Sequence, residues 1–330
     1  MGKTYTGVDI GNYSLKLVVS DGVSIKHLAV VPLPEGLVTE DRIVSFDAMA
    51  DFIKQTASDM GGASREVAVL LPRSLSLTRR LHIPAMTEKE LEINLPYEFR
   101  DFIQQGKDKY FFDYAVLATQ TDAKGIPESM DLLAVAAAKQ VIEDYQEMFK
   151  RASMKLRIAL PHQAALQNLM GGNSKALANC CIADFSHEST KLHFFVSGAY
   201  DVTRTIDIGS IDVDRAIAQT FGVDEHIANG YKHANFEGAL TCDQAMLVYE
   251  SIAVELGRAL HFYGFNNPDS LIEVVYCCGG GASVEPLMNA VVAQTDVELR
   301  DIASILPEVS EDNHYIITQC PAAVGAVITD

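Results

Sequence analysis

The chain has 330 residues, 48% of them hydrophobic, with 44 acidic against 26 basic side chains and a formal net charge of −18. That length suits two domains at roughly 100–200 residues each, and so acidic a surface repels phosphate backbones and anionic lipid, which argues against nucleic acid or direct membrane binding. No run of about 18 apolar residues occurs, so no bilayer span is expected. The opening MGKTYTGVDIGNYSLKLVVS has no continuous apolar core or cleavage site and does not read as a signal peptide. A cytoplasmic location is the expectation, and the six cysteines, which show no CxxC or Cys/His metal spacing, agree with it. The adjacent pairs Cys180–Cys181 and Cys277–Cys278 lie in apolar runs and read as small buried hydrophobes.

Residues 4–9, 14–20 and 25–31 alternate or run apolar between turn signals, as a β-meander does. Helical spacing follows over 46–59, then a buried strand over 66–71. From about Ser74 to Met154 the pattern changes. A strand (75–83) ends at Pro84, and a helix expected over 88–104 starts at Thr87, with Glu90 completing a capping box. Strands at 110–118 and 131–137, an exposed hairpin tip at 120–129 and a helix at 139–152 complete what looks like an inserted β-α-β-β-α unit. A helix at 161–170 and a Gly-Gly-Asn break lead to strands at 179–184, 190–196 and 200–206. Helical segments (211–234), a long helix (241–264), a strand (272–278), Gly279–Gly281 and a helix (283–293) follow. An apolar stretch at 321–328 closes the chain.

An internal repeat organises this series. GVDIGNYSLKLVVSDG (7–22) and IADFSHESTKLHFFVSG (182–198) each run from an apolar strand ending in Asp, through a polar turn, to a second apolar strand and a Gly. The second copy is one residue longer from Asp to Gly, and the turn is where the extra residue is expected. Two such turns facing each other across a cleft can hold a triphosphate by backbone N–H groups, with Asp9 and Asp184 orienting Mg²⁺ through its waters. Gly11 would let backbone approach phosphate closely, and Ser14, Lys16 and Thr190 could donate. In YCCGGGASVEPL (276–287) three glycines between strand and helix would leave room for a flat ring or a ribose, and the helix start near Ser283 favours an anion.

Strand–Asp–turn, its repeat, and strand–GGG–helix together resemble the actin, Hsp70 and sugar-kinase superfamily. LPRSLSLTRRLHIPAMTEKELEINLPYEF, DYAVL, LLAVAAAKQVIEDYQEMFKRA, VTRTIDIG, ELGRALHFY and CCGGGASVEPL are similar to the PilM family of type IV pilus assembly, over most of residues 4–295. The related FtsA family shares the architecture and the place of the insertion. The resemblance implies an α/β, actin-like (ribonuclease H-like) duplicated fold, with two domains around a nucleotide cleft and an FtsA-type inserted subdomain. The corresponding boundaries are 1–83 with 155–178, closed by 318–330, for the first core subdomain, and 84–154 for the insertion. The second core subdomain is 179–210 with 265–317, and 211–264 forms a small nucleoside-side subdomain.

The resemblance also implies ATP and Mg²⁺ as ligands. It puts Asp9, Gly11, Asn12, Tyr13, Ser14 and Lys16 at the first phosphate turn, Asp184, Ser186 and Thr190 at the second, and Gly209 in the VTRTIDIG segment beside it. Gly279, Gly280 and Gly281 would meet the adenosine, with Lys232, Glu255 and Arg258 toward the nucleoside. The family's second turn usually reads Asp-x-Gly, whereas Ser186 stands here in place of the glycine. A Cβ costs little at negative φ but about 1 kcal/mol or more at positive φ. His187 reads either as a phosphate donor or as a solvated turn residue. Gln163 occupies the region that positions the attacking water, with His162 beside it, and hydrolysis is expected to be slow or absent.

The partner implied is the N-terminal cytoplasmic peptide of a PilN-like inner-membrane protein, held in a groove beside the insertion, so that the chain works peripherally at the membrane; self-association stays open. Leu91, Leu95, Phe99 and Phe102 give the 88–104 helix more apolar groups than a small subdomain must bury. Two other readings belong to the same fold. An FtsA-like polymer-forming division protein would call for a basic amphipathic tail, which PAAVGAVITD does not resemble. A small-molecule kinase would need an Asp base, for which Asp184 is the only candidate.

Overall fold

The computed structural model describes residues 3–328, so residues 1–2 and 329–330 of the expected first subdomain lie outside the described residues. The chain divides into two compact units. The first holds the residues up to Gly171, Pro307–Ile316 and the segment from Cys320 onward; the second holds Gly172–Leu306 and Ile317–Gln319.

The first unit opens with β1 (Tyr5–Ile10), β2 (Ser14–Ser20) and β3 (Ile25–Pro32), an antiparallel meander. A short hairpin, β4 (Val38–Thr39) and β5 (Arg42–Ile43), precedes α1 (Phe46–Asp59) and β6 (Glu66–Leu71). The Ser45 side chain caps α1 by accepting from the Ala48 amide. The helix turns Met49, Ala50 and Ile53 into the core shared with Val8, Leu15 and Val69. β6 reads EVAVLL because it lies inside the sheet and is buried on both faces.

A separate three-stranded antiparallel sheet follows, from β7 (Ser76–Pro84), β8 (Tyr110–Thr121) and β9 (Pro127–Ala138), in the order β7-β9-β8, with α2 (Glu88–Glu98) between β7 and β8. The Thr87–Glu90 capping box forms as expected. α2 stops at Glu98, short of residue 104. Phe99 is fully buried with Leu81, Leu91, Leu95 and Leu132, its ring 5.7 Å from that of Phe112. It is therefore a core residue and no part of a peptide groove. Phe102 is half exposed, with the Arg79 guanidinium 4.1 Å from its ring centroid. The β8–β9 tip is shorter than expected because Asp122 closes it, its Oδ1 accepting from the Lys124 and Ile126 amides.

α3 (Lys139–Arg151), β10 (Lys155–Pro161) and α4 (His162–Met170) complete this part, and the main sheet reads β10-β6-β1-β2-β3. β10 was no part of the sequence expectation.

The second unit repeats the plan. β11 (Cys180–Phe185), β12 (Thr190–Val196) and β13 (Ala199–Ile206) form the meander, followed by α5 (Ser210–Phe221), α6 (Glu225–Ala234) and α7 (Asp243–Asn266). β14 (Val274–Cys278), α8 (Glu285–Gln294) and β15 (Glu298–Asp301) give a sheet of order β13-β12-β11-β14-β15. In each sheet three antiparallel strands are extended by two parallel ones, β6 and β10 in the first, β14 and β15 in the second. The core of the second unit centres on Phe194, Tyr249, Leu256 and Tyr263, and the Phe194 and Tyr263 rings stack at 4.0 Å. α9 (Glu311–Ile317) precedes α10 (Pro321–Ala326), which packs on β1 and α4. The closing apolar stretch is thus a helix.

Candidate functional site

In each unit the penultimate residue of the first meander strand is an aspartate. In the first, Asp9 stands opposite Lys16 in the β1–β2 register, and the Lys16 ammonium donates to Asp9 Oδ2 at 2.9 Å. His162, the first residue of α4, brings Nε2 to 3.3 Å from Asp9 Oδ1. Asp9 is 4% exposed. Burial by itself would raise its pKa, but the charges of Lys16 and His162 and their hydrogen bonds outweigh it and hold the carboxyl well below the usual carboxylate range. The buried group is therefore a carboxylate. The turn closes through the Gly11 amide, which donates to the Ser14 carbonyl at 3.0 Å. Asn12 Oδ1 accepts from the Asp41 amide, so this side chain braces the following loop, while Tyr13 is exposed at the tip.

The second hairpin repeats the register and the turn closure of the first. Asp184 stands opposite Lys191, and the Ser186 amide donates to the Ser189 carbonyl at 3.2 Å, as Gly11 does to Ser14. Both turns span the same length, from Ile10 to Leu15 and from Phe185 to Thr190. The extra residue of the second copy is not in the turn. It lies farther on, where β12 continues to Val196 before its glycine, beyond the point at which β2 ends at Ser20. Ser186 takes the place of Gly11 and keeps φ negative, so its Cβ carries no left-handed strain. Its hydroxyl donates to Asp184 Oδ1 at 2.7 Å. Thr190 is buried and its hydroxyl is spent on the Ile208 carbonyl.

His187 is not a solvated turn residue. It is half-buried with Nδ1 3.2 Å from Ser210 Oγ, and burial first, then the neighbouring Lys232 charge, pulls its pKa down against the opposing pull of Asp214. The turn's carbonyls receive the first amides of α5, Ser210 N to Ser186 O and Ile211 N to His187 O. Gly209 makes this approach feasible, since a Cβ there would stand 2.3 Å from the His187 oxygen.

The glycine run closes on the same hairpin. Gly279 has φ +83°, and a Cβ on it would meet Asp184 Oδ1 at 2.5 Å; one on Gly281 would meet the Phe185 Cβ at 2.7 Å. Two of the three glycines are thus required by packing against the β11 turn. Gly280 alone of the three has open space, its nearest neighbour being Gln319 Oε1 at 3.9 Å.

The remaining candidates lie apart from these contacts. Lys232 is buried, 2.6 Å from Asp214 Oδ1, while Asn229 donates to Asp214 Oδ2. Its ammonium holds α6 to α5. Glu255 and Arg258 pair with each other along the outer face of α7. Gln163 is half-buried on α4 beside His162. The sequence named His162 beside Gln163 but did not pair it with Asp9. Its role depends on β10 delivering the chain to that spot, and nothing local in Pro161-His162-Gln163 announces it. Among the described residues no group of three or more His, Cys, Asp or Glu side chains is arranged to hold a metal ion, and no helix is long and apolar enough to cross a membrane.

The sequence model described as "Type IV pilus assembly protein PilM" matches residues 7–313. Among curated proteins none matches the chain. Among solved structures, the PilM-PilN type IV pilus biogenesis complex is similar at a TM-score of 0.80 and 22% identity, over 99% of this chain and 99% of that one. The ethanolamine utilization protein EutJ from Carboxydothermus hydrogenoformans reaches 0.57 at 13% identity, over 100% and 91%. A ROK family glucokinase from Streptomyces griseus, solved with glucose and AMPPNP, reaches 0.53 at 10% identity, over 98% and 98%. At such identities the likeness is one of fold, and the fold is that of the actin-like ATPases.

Proposed function

Since the chain belongs to the family of the type IV pilus assembly protein PilM, we propose that it is an ATP-binding scaffold of pilus, or related pseudopilus or secretion, assembly, and that it works through a PilN-like membrane protein. The observation that carries the nucleotide reading is the matched pair of hairpins. Asp9 and Asp184 are the penultimate residues of equivalent strands, with Lys16 and Lys191 in the same register and the same amide-to-carbonyl bond closing each turn.

The residues present suit ATP with Mg²⁺. Asp9 stays ionised although buried, and Gly280 leaves bare backbone beside the second turn. Mg²⁺ keeps several waters, through which Asp9 and Asp184 would orient it; when bound, it would offset phosphate charge. Lys16 brings a cation to the first turn. The exposed backbone of Gly280 suits the adenosine side, whereas Lys232, Glu255 and Arg258 already have partners and contribute least. Hydrolysis is slow in this reading, because His162 is engaged with Asp9 and Gln163 would be left to position water without a strong base. Turnover falls far below the roughly 1–10³ s⁻¹ of ordinary enzymes.

The partner reading rests on the family and on the similar fold solved as a PilM-PilN complex. An extended N-terminal peptide of a PilN-like protein would lie beside the three-stranded subdomain, where Ile93, Tyr97 and Phe102 expose apolar surface, and would tether the chain to the cytoplasmic face of the membrane. Anisotropy of such a labelled peptide tests this. Phe102→Asp should lower its affinity roughly tenfold or more and leave ATP affinity alone. Full peptide affinity in a folded Tyr97→Asp/Phe102→Asp chain would move the peptide off this face.

A further inference from the structure

α7 and α8 touch where Gly257 faces the end of α8, a Cβ on Gly257 standing 2.9 Å from the Gln294 carbonyl oxygen. Toward the start of α7 a groove of about 540 Å³ lies between the two helices. Met246 and Val254, two turns apart on α7, line one wall, with Glu250 between them at the helical repeat. Pro286, Asn289, Ala290, Ala293 and Gln294 line the other wall, where the two alanines leave it wide, and Glu285 lines the groove as well. The groove is built from the second unit's residues only.

Charge narrows what can enter. Residues 234–299 contain nine Asp and Glu and a single Lys or Arg, Arg258, which is already paired with Glu255. A nucleotide phosphate or an anionic lipid is repelled there. A second copy of a chain of charge −18 is repelled likewise. What complements a mostly apolar trough between helices, with Glu250 and Glu285 as its charged lining residues, is a helix carrying apolar residues on one face and Lys or Arg along its flanks. Such a helix anchors by side chains at i, i+3 or i+4, and i+7, and steers in on the opposite field. We propose that the α7–α8 groove is a docking site for a basic amphipathic helix of a partner protein. This contact does not depend on the nucleotide reading or on the PilN-like peptide.

The probe is a labelled Leu/Lys peptide of about 18 residues with one apolar helical face, titrated into the full chain at about 0.15 M salt. Its isomer, of the same composition but with the order scrambled so that no apolar face forms, is the comparison. The amphipathic peptide should bind at least roughly tenfold more tightly than the isomer and slow amide exchange along α8. Ala293→Glu should weaken it although the chain becomes more acidic, because the carboxylate fills the apolar seat. Glu250→Lys should weaken it more than Glu143→Lys, which makes the same charge change on α3. Ala293, Glu250 and Glu143 are exposed, so the variants should keep the wild-type circular dichroism and melting curve. Equal binding of both peptides, tighter binding to Ala293→Glu, or equal loss in Glu250→Lys and Glu143→Lys would reduce the interaction to net charge and overturn the proposal. A self-associating chain that Ala293→Glu makes monomeric would overturn it in favour of a second copy as occupant.

Discussion

Lys16 donates to Asp9 across the first hairpin at 2.9 Å, at the register where Lys191 stands opposite Asp184 in the second. The two copies use this inherited pair differently. Asp9 is sealed in by Lys16 and His162, whereas Asp184 is held by the Ser186 hydroxyl and by the close approach of Gly279, and Lys191 is exposed. The duplication thus preserves backbone and register while each carboxylate acquires its own supports.

Asp9 links this arrangement to stability and pH. Its folded pKa lies below the unfolded value, so its contribution is fully present above about pH 4 and is lost as pH falls below that. Urea unfolding between pH 5 and pH 3 should show the wild type losing stability faster than Asp9→Asn. Lys16→Met, which removes one partner of a buried charge, should cost about 3 kcal/mol at pH 7. Equal slopes for wild type and Asp9→Asn would mean that the pair contributes nothing to folding.

The glycine run separates packing from ligand contact. Gly279→Ala combines positive φ with a 2.5 Å approach to Asp184 Oδ1 and should destabilise the chain by about 2 kcal/mol or more. Gly280→Ala meets nothing closer than 3.9 Å and should leave the melting temperature near wild type while lowering ATP affinity, if nucleotide lies on that backbone. Calorimetric titration and thermal melts of the two variants distinguish these effects. A large stability loss in Gly280→Ala would assign the whole run to packing.

Burial governs the cysteines. It pushes the Cys180, Cys277 and Cys320 thiols up to about 12, and of the six cysteines, all of them free, Cys242 is the one not buried. A thiol reagent at pH 8 should therefore label Cys242 quickly in the native chain and the others only on unfolding. Rapid labelling of several thiols in the folded protein would contradict this packing.

The sequence made the central strands legible and left one edge of each main sheet dark. β1, β6, β11 and β14 are interior strands whose residues are almost all buried, and their apolar runs announce them. β10 and β15 complete the two sheets from the edge, and they carry Lys155, Arg157, Glu298 and Arg300. Arg157 pairs with Glu66 on the neighbouring strand and Arg300 with Glu298 on its own, so charged side chains are accommodated there, and the alternation in KLRI and ELR is too short to announce a strand. Missing β10 also hid the contact of His162 with Asp9, since that contact follows from where the strand ends. The aspartates were readable because they recur in a repeated motif. Whether Gly279 and Gly281 face a ligand or a neighbouring strand, and whether Lys232 pairs with Asp214, depends on what packs against them, which local sequence does not carry. Phe99 likewise looked available to a peptide until Phe112 covered it.

The measurement that bears most directly on the ATP-binding reading is calorimetric titration of ATP into the full chain, with and without Mg²⁺, for wild type, Asp9→Asn and Asp184→Asn. Mg²⁺-dependent binding to wild type is expected, weakened at least tenfold, about 1.4 kcal/mol, in each folded variant. Absence of ATP binding to the wild type, or an affinity that both substitutions leave unchanged, would contradict that reading.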